Sequence, residues 1–259
     1  MPTAVLISGG LDSAVLVADE AARDDVQPIY VSAGLAWERA ERAIVARLLA
    51  TPPFARRVRP LVSLDVDMRD VYAATHWAIQ GRPPAYHTPD EDVYLPGRNI
   101  VLLGKAGVYC ATATIDRLVL GTLAHNPFPD ATPEFREAMA RALTLGLGRR
   151  LAIHAPYAGT SKADVIRRGA ALGVPFELTL SCMAPPSADS ANSADSADSA
   201  DSADSAESAD SVESAESAIR NPQSAVHCGE CSKCRERHDA FVEAGVPDPT
   251  TYATTIHLA

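Results

Sequence analysis

The sequence predicts an α/β fold: a doubly wound, mostly parallel sheet with a small zinc-binding lobe at its C-terminal end. Three observations support this prediction. Short apolar runs alternate with helical patterns, which is typical of a parallel sheet with helices on both faces. A strand-like run, a glycine pair and a helical run follow one another within residues 4–18. Beyond residue 180, four cysteines stand in a pattern that favours metal binding.

The first strand is predicted at residues 4–7, and a loop carrying Gly9 and Gly10 separates it from a helix that includes residues 14–18. The glycines let the backbone turn tightly, and the helix start directs N–H groups and a positive dipole at one point. Ser8 and Ser13 add hydroxyl donors, and Asp12 could hold Mg²⁺ on phosphates. The loop is therefore predicted to bind an anion. The alternative is an ordinary turn with Asp12 or Ser13 as N-cap.

This S-G-G-x-D-S string resembles the PP-loop of ATP pyrophosphatases, a superfamily of adenylating enzymes. It matches neither the dinucleotide-binding G-x-G-x-x-G pattern nor the P-loop. The resemblance implies ATP cleavage between the α and β phosphates, with Asp12 among the catalytic residues. It implies ATP binding by a continuous stretch: Ile7, Ser8, Gly9, Gly10, Leu11, Asp12, Ser13, Ala14, Val15, Leu16 and Val17.

The next elements continue the alternation of strands and helices. A strand is predicted at residues 26–32, a helix at 37–49 and a third strand at 60–64. Ligands of such sheets bind beyond the carboxyl ends of the strands, which places the loop of residues 8–13 at the active edge. Residues 65–94 are irregular. They are interpreted either as a mobile flap over the nucleotide or as a passive surface connection.

Arg98 and Asn99 precede a strongly apolar segment, residues 100–111, which is predicted to be a buried helix. At a helix start, a guanidinium and an amide can face an anion or a carboxylate. A surface arginine with Asn99 as N-cap is the alternative. The string P-G-R-N before a buried helix resembles the corresponding string of the 7-cyano-7-deazaguanine synthases, and this resemblance implies a catalytic role for Arg98.

A strand at residues 116–122 and a helix starting at Thr132-Pro133 and running through residue 145 are predicted next. In the synthase family the intervening loop receives the deazapurine. The resemblance implies that Phe128 stacks on the flat base and that Asp130 accepts from its exocyclic amine. A turn with Asp130 as a local cap is the alternative. This loop is shorter than the family pattern, and residues 34–37 lack the family's polar run.

Lys162 stands at the start of a helix that follows a predicted strand at residues 151–156. A lysine there opposes the helix dipole unless an anion lies nearby. The spacing from Pro156 to Lys162 also matches the synthase family. Lys162 is therefore predicted to be catalytic, as a charge clamp on pyrophosphate or on the adenylated intermediate. A plain surface lysine is the alternative.

Three cysteines form a C-x₂-C-x₂-C cluster, and a fourth lies 46 residues before it: Cys182, Cys228, Cys231 and Cys234. Four thiolates make a closed tetrahedral Zn²⁺ site of the structural kind. An iron–sulfur cluster can use similar spacing, but the ferredoxin run has a further cysteine and proline. The synthase family has the same cysteine arrangement. Cys110 is predicted to be a buried packing residue.

A Ser-Ala-Asp/Glu repeat separates Cys182 from the triple and is predicted to be a disordered acidic insert at residues 187–219. Its nine acids account for nearly all of the net charge of −10, since the rest of the chain sums to −10 + 9 = −1. The remainder is thus close to neutral, which argues against stable nucleic-acid binding. No stretch is long enough to cross a membrane, and a cytoplasmic protein is expected.

Two parts are expected: a PP-loop domain at residues 1–180 and a zinc-binding lobe at 181–259. The resemblance implies a ligase that uses ATP and Mg²⁺ to convert 7-carboxy-7-deazaguanine and ammonia to 7-cyano-7-deazaguanine. Two alternatives stay open. One is a PP-loop enzyme that adenylates another substrate, as in amide formation or tRNA thiolation, and the other is a non-catalytic nucleotide-binding module. The oligomeric state is not readable from the residues, and a homodimer stays open.

Overall fold

The computed structural model describes residues 1–186 and 224–257. The acidic insert predicted at residues 187–219 lies outside the described residues. A central sheet of five strands is formed by β1 (Thr3–Leu6), β2 (Val26–Ser32), β3 (Val62–Asp65), β4 (Arg117–Val119) and β5 (Ala152–His154). Every pairing in it is parallel, and the strand order is β3-β2-β1-β4-β5. The predicted parallel sheet is confirmed.

Seven helices accompany the strands within the described residues. Their bounds are α1 (Leu11–Ala21), α2 (Glu38–Leu49), α3 (Trp77–Gln80), α4 (Arg98–Thr112), α5 (Pro133–Leu147), α6 (Lys162–Ala171) and α7 (Ser232–Ala244). Short 3-10 turns occur at Asp90–Val93, Pro129–Ala131 and Phe176–Leu178. A parallel pair, β6 (Val226–His227) and β7 (Thr251–Tyr252), completes the described secondary structure.

Helices cover both faces of the sheet, as the doubly wound class requires. On one face, apolar side chains of α1, α2, α6 and α7 pack with Val5 and Tyr30. On the other face, α4 and α5 pack with Ala4, Ile29 and Val31. A third cluster joins the loop after β2 to the cysteine-bearing segment, so the C-terminal part shares its core with the sheet domain.

The strand order reverses between β1 and β4, because the chain builds β2 and β3 to one side of β1 and then crosses to the other. The carboxyl ends of β1 and β4 therefore diverge into separate loops and leave a crevice between them. The loop before α1 and the loop at Gly121–Phe128 border this crevice. The sheet topology thus sets the place of the candidate site.

Helix α4 is less buried than the sequence predicted. Leu103, Ala106, Gly107 and Cys110 are buried, whereas the side chains of Ile100 and Val108 on the same helix are each 49% exposed. The sheet and α5 cover only one side of α4, so its apolar composition does not translate into complete burial. Among the described residues, no helix combines the length and the apolar character that crossing a membrane requires.

Candidate nucleotide-binding active site

The loop between β1 and α1 leaves the start of α1 open to a ligand. Gly10 is the N-cap residue and no side chain caps the helix, so neither Asp12 nor Ser13 plays the capping role of the alternative interpretation. The first backbone N–H groups of a helix lack acceptors within it. The hydroxyls of Ser8 and Ser13 lie 3.3 Å apart across the loop, and Ser13 Oγ donates to the Gly10 carbonyl at 3.0 Å. This arrangement suits an anion.

Ten of the eleven residues of the predicted ATP-binding stretch fall into two groups, and the eleventh, Gly9, lines neither cavity. Ile7, Ser8, Gly10, Leu11, Asp12 and Ser13 line the crevice. The side chains of residues 14–17 are fully buried and belong to the sheet-facing core. Those four residues pack in the core next to the loop and do not line the crevice.

Two connected cavities make up the crevice. The inner cavity, of about 260 Å³, lies over the ends of β1, β2 and β4 and has apolar walls from Ile29, Val31, Leu102 and Leu120. The outer cavity, of about 440 Å³, opens toward α6, α7 and the loop of residues 121–128. Seven residues line both cavities and so mark their junction: Ser8, Gly10, Asp12, Glu41, Arg98, Gly121 and Asn126.

Lys162 begins α6 and extends into this crevice. Its ammonium group lies 3.2 Å from Asp12 Oδ2 and 2.7 Å from Glu236 Oε1. Burial lowers the pKa of Lys162, but the two carboxylates outweigh burial and raise the pKa above its usual value. Lys162 is therefore a permanent cation beside the loop of residues 8–13, which we call the anion loop.

Asp12 lines both cavities, and one of its carboxylate oxygens has no protein partner. Its Oδ1 is buried and has no hydrogen bond, while Oδ2 accepts from Lys162. Burial raises the pKa of Asp12, against the lowering effect of Lys162. An unpaired buried carboxylate oxygen suits a hard divalent cation such as Mg²⁺. The residues present therefore fit a cation bound next to the phosphate loop.

Arg98 reaches the junction from the start of α4. The preceding Gly97 adopts a left-handed conformation (φ 77°) and is the N-cap, so Asn99 does not cap the helix. Arg98 lines both cavities, and its Nε is buried without a hydrogen-bond partner. A guanidinium that lines a cavity and has a donor without a protein partner is suited to a carboxylate or phosphate ligand.

The structure separates the two residues predicted to bind the base. Phe128 lines the outer cavity and stacks on Tyr94, with ring centroids 5.1 Å apart. Asp130 is buried and does not line either cavity. Its Oδ2 accepts from the backbone N–H of Asn99 at 2.9 Å, which fixes the first turn of α4. The structure therefore brings Phe128 to the crevice and gives Asp130 a contact next to Arg98.

Several residues of the crevice were not anticipated from the sequence. Trp37 and Trp77 stack in parallel, with centroids 5.7 Å apart, and both line the outer cavity. Glu41 lines both cavities, and Lys233 and Glu236 enter from α7. The sequence signals for them were weak: a tryptophan in an irregular loop and a glutamate on the buried side of a helix.

The four predicted metal ligands come together. The sulfurs of Cys182, Cys228, Cys231 and Cys234 all lie within 4.8 Å of one another, and those of Cys231 and Cys234 are 3.5 Å apart. A tetrahedral Zn–S distance of about 2.3 Å corresponds to sulfur separations of roughly 3.8 Å, so the group fits such an ion. The backbone N–H groups of Ala184 and Cys228 each lie 3.3 Å from Cys182 Sγ. Donors of this kind orient metal ligands.

The cysteine cluster is joined to the crevice through α7. Cys231 is the N-cap of this helix and Cys234 lies in its first turn, two residues before Glu236. Arg237 follows and is fully buried, where it donates to Thr179, Thr250 and the carbonyl of Phe176. The segment of residues 82–95 is also tied to this region, since Arg235 donates to the carbonyl of Tyr86 at 2.8 Å.

Fold and site together define a doubly wound α/β protein, with a helix start open to an anion after the first strand and charged side chains from α1, α4, α6 and α7 around one crevice. A family model described as "Queuosine biosynthesis protein QueC" matches residues 3–245, and the chain belongs to this family. The family resemblance noted in the sequence is thereby confirmed.

Curated relatives match along almost the whole chain. The 7-cyano-7-deazaguanine synthase of Methanopyrus kandleri is 30% identical over 272 residues, which cover 96% of this chain and 98% of that protein. The 7-cyano-7-deazaguanine synthase of an Anaeromyxobacter species is 31% identical over 261 residues, with 96% and 94% covered. The solved U34-tRNA thiolase of Methanococcus maripaludis is 10% identical, with 68% and 58% covered. Its TM-score of 0.42 is too low to bear on the assignment.

Proposed function

We propose that this protein is an ATP-dependent ligase that converts 7-carboxy-7-deazaguanine and ammonia to 7-cyano-7-deazaguanine. One structural observation carries the proposal: Asp12, Arg98 and Lys162, from three distant parts of the chain, line one crevice beside an uncapped helix start. Family membership supplies the reaction class. Adenylation of a carboxylate needs a phosphate cradle and fixed cations near the developing charge, and this crevice has both.

In this proposal the triphosphate of ATP lies on the loop of residues 8–13, with the adenosine in the inner cavity. The apolar walls of that cavity suit a purine. The deazapurine occupies the outer cavity, where Trp37, Trp77 and Phe128 offer aromatic faces to a flat base. Its carboxylate then meets the α-phosphate at the junction, next to Arg98.

Two metal ions accompany the proposed reaction. Asp12, whose Oδ1 has no protein partner, would hold Mg²⁺, which would supply positive charge next to the phosphates. The four cysteines would hold Zn²⁺, with all ligands from the protein and a structural role. The protein's own residues, Arg98 and Lys162, hold the substrate carboxylate and the phosphates.

The proposal extends to a cytoplasmic enzyme that acts on a free small molecule. Outside residues 187–219 the chain has a formal charge of −1, so its net charge does not favour binding to the tRNA backbone. Cys110, the cysteine outside the metal cluster, is fully buried, and burial raises its pKa to about 12. Such a thiol is unsuited to the nucleophilic role that thiolation chemistry would require.

Incubation with ATP, Mg²⁺, ammonium and 7-carboxy-7-deazaguanine tests this function. The expected result is pyrophosphate release that depends on the deazapurine, together with a nitrile product detected by mass spectrometry. If pyrophosphate is released only with a different carboxylate, the protein is a ligase of another substrate. ATP binding without turnover would overturn the proposal and favour a nucleotide-binding module.

A further inference from the structure

Glu41 is a buried carboxylate at the junction of the two cavities, with no role in the function described so far. It is 7% exposed and lines both cavities, and its backbone packs against the anion loop at Gly9. Its Oε2 accepts a hydrogen bond of 2.9 Å from the hydroxyl of Tyr30. A carboxylate thus faces the place where the proposed acyl-adenylate forms.

Glu38, another glutamate of helix α2, has a purely structural role and serves as a comparison for Glu41. Glu38 is equally buried, at 6% exposure, but its oxygens accept from Ser32 Oγ and from the backbone N–H groups of Ala33 and Gly34. Glu38 therefore fastens the loop after β2 and does not line either crevice cavity. Glu41 instead accepts from the Tyr30 hydroxyl on β2 and from the Trp37 side chain, and it lines both cavities.

Burial and the charged groups around Glu41 bring its pKa close to neutral pH. Burial raises its pKa to about 7, while Arg98 and the hydroxyl of Tyr30 lower it and the nearby Glu38 raises it. Asp12 also lines both cavities at the junction. A carboxylate of this kind can take a proton and release it again near neutral pH, as a general base must.

We propose that Glu41 binds the ammonium ion at the junction and accepts its proton, so that ammonia is released next to the activated carboxyl carbon. This inference rests on the proposed function. It assigns to Glu41 a part of the reaction that Asp12, Arg98 and Lys162 do not perform, because two of those residues are cations and Asp12 is paired with Lys162. A buried anion beside an open cavity is the appropriate site for a small cation.

The step conserves atoms and electrons. Ammonium transfers one proton to the Glu41 carboxylate, and the freed nitrogen lone pair forms a bond to the carbonyl carbon of the acyl-adenylate. The bond from that carbon to the phosphate oxygen breaks, and AMP leaves with the electron pair. The new nitrogen then loses a second proton to solvent, which yields the neutral amide. Glu41 returns its proton to water before the next cycle.

Comparison of ammonium with hydroxylamine in Glu41→Gln tests the proposal. Hydroxylamine is uncharged at neutral pH and attacks an acyl-adenylate without help from a base. The variant is expected to form hydroxamate at the wild-type rate, whereas its amide formation from ammonium falls by about 100-fold. Above neutral pH, the variant's kcat/KM for total ammonium should rise about tenfold per pH unit, because only free ammonia reacts. The wild type should change little over that range.

Glu38→Gln is the matched control, and its ratio of ammonium to hydroxylamine turnover at pH 8 should equal that of the wild type, because Glu41 is ionised there with or without the charge of Glu38. If the wild type forms amide and Glu41→Gln reacts with each nucleophile at the wild-type rate, the role of Glu41 is refuted. Equal loss with both nucleophiles refutes it too, because the defect then precedes nitrogen attack. Absence of any deazapurine-dependent product from the wild type refutes the proposed function instead.

Should Glu41→Gln fail to fold, Tyr30→Phe is the second variant. It is expected to shift the lower limb of the ammonium pH profile to higher pH, and an unshifted profile would overturn the proposal.

Discussion

The ammonium group of Lys162 lies 2.7 Å from the carboxylate of Glu236, a contact that joins the first turn of α6 to α7, the helix whose start carries Cys231 and Cys234. The same ammonium group lies 3.2 Å from Asp12 on α1. Burial raises the pKa of Glu236, but Lys162 and Lys233 outweigh it and lower the pKa to about 2. The C-terminal segment therefore contributes a permanent anion that holds the central lysine of the crevice.

Replacement of Lys162 separates a catalytic cation from an ordinary ion pair. Lys162→Met should lower deazapurine-dependent pyrophosphate release by roughly 100-fold or more, because the fixed charge beside the phosphate loop is lost. Lys233→Met is the matched control, since Lys233 also pairs with Glu236, at 2.5 Å, but is not bonded to Asp12. Its loss should stay below about tenfold. Steady-state kinetics measures both variants, and equal losses would contradict the role of Lys162.

The raised pKa of Glu41 predicts how stability depends on pH. Its carboxyl group titrates near pH 7 in the folded chain and near its ordinary, lower value when unfolded, so the folded state binds the proton more tightly. Stability should therefore fall as pH rises from about 4.5 to 7, by up to about 3 kcal/mol. Glu41→Gln removes this dependence and should be more stable than the wild type at pH 8. Urea unfolding at several pH values measures the difference, and parallel curves for both proteins would contradict it.

The cysteine cluster predicts a metal dependence that one variant pair can isolate. Cys231→Ser should lose most of the bound zinc, because three thiolates and one weaker ligand no longer close the tetrahedral site. Cys110→Ser is the control, since Cys110 is buried on α4 and does not belong to the cluster. It should retain the metal. Elemental analysis of the purified variants decides, and unchanged zinc in Cys231→Ser would refute the ligand assignment.

The local parts of the fold and the site could be read from the sequence. The strand at residues 26–32 and the helix start at Pro133 have the predicted bounds, because apolar runs and capping residues are local signals. The same is true of Lys162, whose place at a helix start is decided by its immediate neighbours. The anion loop is likewise a continuous stretch. Each of these features depends on only a few consecutive residues.

The rest of the crevice could not be predicted, because its composition depends on packing between distant segments. Trp77 meets Trp37 only after the irregular segment folds back on the loop after β2. The carboxylate of Asp130 is used by Asn99, and nothing in the local sequence indicates a partner 31 residues away. The open side of α4 follows from which helices cover the sheet. Glu41 becomes a notable group only when burial and the cavity are both known.

The left-handed Gly9 allows a last prediction about the phosphate loop itself. Gly9 has φ 79°, and a Cβ there would lie 3.0 Å from Val45 Cγ2 and 3.3 Å from the carbonyl oxygen of Glu41. Gly148 has a similar φ of 63°, but a Cβ added to it would meet nothing within 4 Å, which makes it the matched control. Gly148→Ala should cost about 1 kcal/mol, the backbone penalty alone. Gly9→Ala should lower the free energy of unfolding by more than Gly148→Ala does, because the loop must move away from α2. The same movement turns the N–H groups of the loop away from the phosphates, so ATP binding should weaken by about tenfold or more. Urea unfolding and ATP titration measure the two effects, and wild-type ATP affinity in Gly9→Ala would show that the loop does not hold the phosphates.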